Sequence, residues 1–255
     1  MMTRWIVFAA VFGSTIGSFL NVCIYRLPRR LSIVRPRSAC PHCQRELAWY
    51  ENLPIVSYLV LRGRCRSCRG AISARYPIVE ALTAVMFAGA TWYYGPSLLL
   101  VSRLVFGCAL IVLFAIDLEH YILPNVITVP GIVVGFAFSL FTEPGWVDSL
   151  IGIAVGGGAL WAIFEAYRLI RHEDGLGFGD VKMLAMIGAF IGWRLTLMAL
   201  TAASFIGSLL GLALILSGRG NMKSALPFGT FLAVGAAFAA VLGPGLLEWY
   251  LGQFR

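Results

Sequence analysis

Two aspartates stand where chemistry would be expected in an otherwise apolar chain. Gly177-Phe178-Gly179-Asp180 puts a carboxylate at the mouth of an apolar segment, beside glycines that leave the backbone uncrowded. Asp117 ends another apolar run and leads into Leu118-Glu119-His120-Tyr121-Ile122-Leu123-Pro124-Asn125. Acidic groups at membrane depth are costly and mark functional sites. If Asp117 and Asp180 meet, like charges at close range share one proton. The ionised member then serves as general base on a water, and the protonated member donates to a carbonyl. That is aspartic-protease chemistry. A second reading makes Asp180 the N-cap of a helix over 181–193 and Asp117 a solvated helix-end charge. Glu119 is a rival to Asp117, although two residues on along a helix it points elsewhere. No HExxH motif is present, and no Ser or Cys carries a motif with a neighbouring His.

The second chemical cluster is Cys40-Pro41-His42-Cys43 with Cys65-Arg66-Ser67-Cys68. Two CxxC knuckles at this separation fit a tetrahedral four-thiolate zinc site, which is closed and therefore structural. Two disulfides, or His42 replacing a thiol, are the alternatives. Cys23 and Cys108 lie in apolar runs and read as small buried hydrophobes.

The elements that must position these groups are membrane helices. Of 255 residues, 59% are hydrophobic and only 13% charged, far from the balance of a soluble domain. The expected fold is an all-α polytopic membrane protein of about eight transmembrane helices. Residues 5–25 form the first run, with the Gly13/Gly17 small-residue pair and Ser14, Ser18 and Asn21 on it. Its length and lack of an A-x-A site make it a span and not a cleaved signal. Further runs cover 77–94, 97–116, 125–141, 147–170, 181–193, 195–217 and 227–251. The run at 181–193 is short and must be tilted, re-entrant or buried among neighbours. Three regions follow: 1–25 as first helix, 26–76 as zinc-binding loop, and 77–255 as the helical domain holding both aspartates.

Residues 26–76 carry eleven Arg and no Lys. With this loop cytoplasmic, eight spans place sixteen of the twenty Lys and Arg on the cytoplasmic side or its borders. Arg219 and Lys223 then fall inside, both termini outside, and Asp117 and Asp180 at the cytoplasmic ends of their helices. The net charge of +8 is thus a matter of topology and gives no sign of a nucleic-acid partner. Glu173 and Asp174, ahead of the motif, would attract a basic segment of a substrate.

These residues, in this order, resemble the type IV prepilin peptidases over nearly the whole chain. The resemblance rests on Gly17-Ser18-Phe19-Leu20-Asn21-Val22, Tyr25-Arg26-Leu27-Pro28, both CxxC pairs, Asn52-Leu53-Pro54 and Leu61-Arg62-Gly63-Arg64-Cys65. It continues through Arg75-Tyr76-Pro77-Ile78-Val79-Glu80, Asp117 with Leu123-Pro124, the 177–180 motif and Pro227-Phe228-Gly229. Asn125 departs from an Asp frequent in the family. The GxGD motif is shared with intramembrane aspartic proteases such as presenilin, which lack the zinc loop. The resemblance implies that Asp117 and Asp180 are the catalytic pair. Its substrates would be prepilin and pseudopilin precursors of type IV pili and type II secretion, cut at the cytoplasmic face of the bacterial inner membrane. The new N-terminus would then be methylated from S-adenosylmethionine. The zinc loop favours both activities without locating the methyl-donor pocket.

Overall fold

A computed structural model describes residues 2–171, 177–218 and 226–253. Glu173, Asp174, Arg219 and Lys223 lie outside the described residues. The chain packs as two compact units, residues 1–112 and 113–255.

The first unit pairs α1 (Met2–Arg26) with α3 (Arg75–Tyr94). The Gly13/Gly17 pair is the contact: a Cβ at Gly13 would lie 2.7 Å from Phe87 Cβ, and one at Gly17 2.7 Å from Glu80 Cα. Small residues let the two backbones approach, as the sequence suggests. Asn21 is buried on this seam, whereas Ser14 bonds only its own helix at Val11 O, 2.7 Å. Between α1 and α3 run a short 3-10 turn (Trp49–Asn52) and α2 (Val56–Val60). Glu51 accepts from Arg45 Nη2 at 2.6 and 2.7 Å and from the Ala48 N–H at 2.9 Å, tying this turn to the first CxxC knuckle.

Helix α4 (Leu98–His120) carries the chain from 1–112 into 113–255. Then follow α5 (Asn125–Ser139), α6 (Trp146–Arg171), α7 (Phe178–Leu216) and α8 (Phe228–Gly252). Among the described residues every regular element is helical, with two isolated β-bridges in the loop before α3. Helices α1, α4, α7, α8 and the 146–163 stretch of α6 are long and apolar enough to cross a membrane, and α5 is apolar but shorter. This is a multi-pass helical membrane protein.

Helix α7 is the axis of the second unit, with α5, α6 and α8 packed on it. The runs at 181–193 and 195–217 are its two limbs, broken at Gly192, whose φ of 76° and ψ of 170° suit only glycine. Ser149 Oγ donates to Ala189 O at 2.8 Å, serving a carbonyl of the turn before the break. Trp193 Nε1 donates to Asp148 Oδ1 at 3.1 Å just beyond it. From 178 to 191 the first limb rises only about 21 Å. Its residues from Met183 to Ile191 are all buried in protein. A helix enclosed this way is apolar all round and needs no lipid-matched length.

The tightest crossing joins α6 to α7. A Cβ at Gly188 would overlap the Gly152 carbonyl, and one at Gly156 would lie 2.6 Å from Leu184 O. Gly188→Ala is therefore expected to destabilise the protein by about 1–3 kcal/mol through overpacking. The readout is a lower Tm in detergent. Gly158→Ala is the control, because nothing lies within 4 Å of a Cβ there.

Candidate active site and metal centre

Asp117 is placed by the last turn of α4 and is 5% exposed, so it is no solvated end charge. Glu119, the rival, is exposed. After α4 the chain turns at Tyr121, whose φ is 56° and whose N–H donates to Asp117 O at 2.9 Å. The turn delivers Leu123 to the site. A Cβ on Gly179 would lie 3.0 Å from Leu123 Cβ, and one on Gly229 2.9 Å from Leu123 Cδ1. Leu123 thus sits between the glycine preceding Asp180 and the glycine that opens α8.

The α8 N-terminus holds Asp117 directly. Oδ2 accepts from the Thr230 backbone N–H at 2.7 Å and from Thr230 Oγ1 at 3.1 Å. Gly229 makes this approach possible, because a Cβ there would come within 3.0 Å of Asp117 Oδ2. An anion at a helix N-terminus meets unpaired N–H donors and the positive end of the helix dipole.

Asp180 is also in a first helical turn, but it is not the N-cap. Helix α7 begins at Phe178 with Gly177 as N-cap, which places Asp180 in the third helical position. Its carboxylate accepts from the Gly177 backbone N–H, the returning half of a capping box. The residue is 7% exposed and lies within direct Coulombic range of Asp117. The structure therefore brings Asp117 and Asp180 into one buried site. The adjacent cation is engaged elsewhere: Lys182 Nζ donates to Asn125 Oδ1 at 2.8 Å and sits 4.8 Å over the Phe178 ring. Among the described residues no cation pairs with either aspartate. Buried, coupled and unneutralised, the two carboxyls have the arrangement needed for shared-proton acid–base work.

Thr230 is the site residue that sequence reasoning did not single out. Its signal was available: Pro227-Phe228-Gly229-Thr230 opens an apolar helix with a proline cap and a glycine. Thr230→Val removes the hydroxyl donor and keeps the N–H. It is expected to lower kcat for peptide cleavage about tenfold, the scale of one hydrogen bond to a charged group. Thr230→Ser should restore the rate.

The four cysteines of the first unit converge. Their Sγ atoms all lie within 4.8 Å of one another, and Cys40 Sγ is 3.8 Å from Cys68 Sγ. Zn–S bonds of about 2.3 Å in a tetrahedron set S···S edges of about 3.8 Å, so the donor set fits zinc. None of the six cysteines is joined in a disulfide. His42 is outside this four-sulfur cluster, and its Nε2 lies 3.1 Å from Ala71 O.

The two knuckles are built alike. Bridges Ala39–Glu46 and Arg64–Ala71 close them, and Gln44 and Arg69, each just past a CxxC, share a φ of 59°. Cys40 N donates to Arg45 O at 3.0 Å and Cys65 N to Gly70 O at 2.9 Å. Backbone N–H groups of Cys68 and Ser67 aimed at the Cys65 sulfur bring that thiol down to about 6, towards the thiolate that binds metal.

Residues 11–94 match the bacterial peptidase A24 N-terminal domain, and residues 104–212 match the type IV leader peptidase family. The chain is 36% identical to a prepilin leader peptidase/N-methyltransferase of Aeromonas hydrophila, over 98% of this chain and 96% of that protein. A Pseudomonas aeruginosa protein of the same name is 33% identical, over 94% of this chain and 91% of its own length. One from Myxococcus xanthus is 43% identical, over 86% of this chain and 66% of its own. No solved structure matches. The order of motifs, the paired aspartates and full-length similarity agree: the chain belongs to the type IV leader peptidase family.

Proposed function

We propose that this protein removes the leader from type IV prepilins and type II secretion pseudopilins, and N-methylates the residue so exposed, with Asp117 and Asp180 as the catalytic pair. The observation that supports the pair most is the burial of two Coulombically coupled carboxylates, one held by Thr230 and the other by Gly177.

One aspartate, ionised, takes a proton from water as the oxygen attacks the scissile carbonyl. The other, protonated, donates to the carbonyl oxygen. Collapse of the tetrahedral species returns a proton to the departing amine. The buried setting excludes bulk water and strengthens each of these interactions. S-adenosylmethionine, when bound, supplies an electrophilic methyl group. The cleaved substrate supplies the amine that accepts it.

In this reading the enzyme lies in the bacterial inner membrane with eight spans, the two limbs of α7 counted separately. Both termini face outward, and the zinc loop and the aspartates are at the cytoplasmic side, where a basic leader remains. Zinc is structural, held by Cys40, Cys43, Cys65 and Cys68. Positive-inside bias supports this orientation.

The test is the intact mass of a pilin incubated with the full-length protein and S-adenosylmethionine. A product lacking the leader and carrying one methyl group is expected. Cleavage without methylation reduces the function to that of a peptidase, and an intact precursor overturns it.

A further inference from the structure

Residues 52–61 hold no charged side chain, in a loop otherwise crowded with arginine. They include α2, whose two faces differ. Tyr58 packs on the second CxxC knuckle: its hydroxyl would lie 2.9 Å from a Cβ on Gly63, and its carbonyl accepts from the Gly63 N–H at 2.9 Å. Val56, Leu59 and Val60, at helical spacing on the other face, are 55%, 66% and 75% exposed.

Glu80 fixes where this apolar face lies. Its Oε2 accepts from the Ile55 N–H at 2.7 Å, and the Ser18 side chain bonds to the same carboxylate. Ile55 is the N-cap of α2. Ser18 comes eight residues before Arg26, the last residue of α1, or about 12 Å along the axis. The start of α2 is thus drawn about two turns down the flank of a helix long and apolar enough to cross a membrane. Backbone at that depth must find partners within the protein. It does: the N–H groups of Ser57, Leu59 and Leu61 donate to Leu53 O, Ile55 O and Ser57 O at 3.0–3.1 Å, and Glu80 takes that of Ile55.

Beyond α2 the chain enters a cleft of about 520 Å³ lined by Val60, Arg62, Arg64, Arg66 and Arg69. All four arginines are exposed, and among the described residues none of them forms an ion pair. Four thiolates on a dication would leave two negative charges beside the cleft, fewer than the four guanidiniums carry. On the other flank of 52–61, Trp49 and Tyr50 are exposed, and Arg66 Nη1 donates to the Tyr50 hydroxyl at 2.7 Å. An apolar face between aromatic residues and surplus arginine is the make-up of a segment lying in a membrane interface.

We propose that residues 49–69 dock on the lipid surface at the Arg26 end of α1. Val56, Leu59 and Val60 enter the acyl boundary, and the arginine cleft takes the phosphate of an anionic phospholipid headgroup. Guanidinium forks match phosphate oxygens bidentately. Which side of the membrane this is rests on the orientation proposed above. The docking does not.

The full-length protein in mixed phosphatidylglycerol and phosphatidylcholine nanodiscs tests both halves. Leu59→Trp adds a fluorophore to the apolar face. The emission it adds over wild type is expected to be quenched by brominated acyl chains and shielded from acrylamide. Emission quenched by acrylamide and untouched by brominated chains overturns the proposal. For the cleft, the lipids retained on release from the discs are counted by intact-mass spectrometry. Wild type is expected to favour phosphatidylglycerol about tenfold or more, since each arginine at an anionic surface adds roughly a factor of five.

Replacing Arg62, Arg64, Arg66 and Arg69 together by Gln should bring that preference close to one, whereas Arg29→Gln with Arg30→Gln, outside the cleft, should keep most of it. A preference that survives the fourfold variant overturns the assignment of the cleft, as does its absence in wild type. Displacement of the lipid by millimolar inorganic phosphate makes the cleft a site for the free anion and overturns the lipid assignment. Zinc content and Tm report folding. If the fourfold variant fails there, Arg62→Gln with Arg69→Gln, which keeps the Arg66–Tyr50 bond, decides by the same count. Neither readout involves peptide cleavage or methylation, so both are independent of the function proposed above.

Discussion

Asp117→Asn and Asp180→Asn are each expected to abolish leader removal, with a loss of about a thousandfold or more in cleavage rate. General acid–base groups contribute about 10²–10⁴ each. In a shared-proton pair neither partner substitutes for the other, so the double variant should be scarcely worse than either single one. Asparagine is nearly isosteric. In Asp117→Asn its carbonyl oxygen can still accept from the Thr230 N–H and hydroxyl, now at 2.7 and 3.1 Å from Oδ2, so the loss reports chemistry and not collapse. Intact-mass analysis of the processed substrate reads the result, with zinc content and Tm as checks of folding. Glu119→Gln should stay close to wild type, since Glu119 is exposed where Asp117 is buried. A variant that still cleaves would make that aspartate a helix-end group: a capping-box acceptor in the case of Asp180, and an anchor for α8 in the case of Asp117.

Cys40→Ser and Cys68→Ser are expected to lose zinc and unfold the loop before α3. Structural zinc in small domains contributes apparent free energies of about 10–16 kcal/mol. The loop's regular structure is slight: two bridges, a four-residue 3-10 turn and the five-residue α2. The thiols also oppose one another when no metal joins them. The Gly70 N–H lowers Cys68, yet burial and the sulfurs of Cys43, Cys65 and Cys40 hold it up at about 11. A dication reverses that opposition, because each ligand binds as thiolate, so metal uptake releases protons and weakens as pH falls. Elemental analysis of purified protein should fall from one zinc per chain to near zero in each cysteine variant. His42→Gln should keep its metal, because the four sulfurs form the cluster without the ring, whose Nε2 lies against Ala71 O. Full metal in both cysteine variants would overturn the four-thiolate site.

Which residues would do the chemistry was legible in the sequence wherever the information is local. The CxxC spacing specifies a knuckle because a tight turn of a few residues, closed by its own backbone bonds, sets where two sulfurs point. Apolar runs specify helices because burial in lipid leaves the backbone no partner outside its own segment. Glycines at 13 and 17 announced a close helix contact for the same reason, since the missing side chains are visible as letters. Arg crowding between 26 and 76 marked a loop.

What the letters could not decide was which helices meet. Asp117 and Asp180 share a site because α4, α7 and α8 bring their ends together around Leu123, and a contact between residues so distant in the chain leaves no periodicity to read. That Thr230 would reach Asp117 was unreadable for that reason, as was the role of Gly229 in letting α8 approach it. The short run at 181–193 allowed three interpretations until packing showed it enclosed by its neighbours and joined to the next run at Gly192. Nothing in the letters paired Asn21 of α1 with the Tyr76 carbonyl of α3. Only the packing of α1 on α3 shows that Glu80 and Asn21 are both buried. Local spacing names the chemical groups. Close packing of small-residue faces, which depends on every helix at once, decides which of those groups face each other.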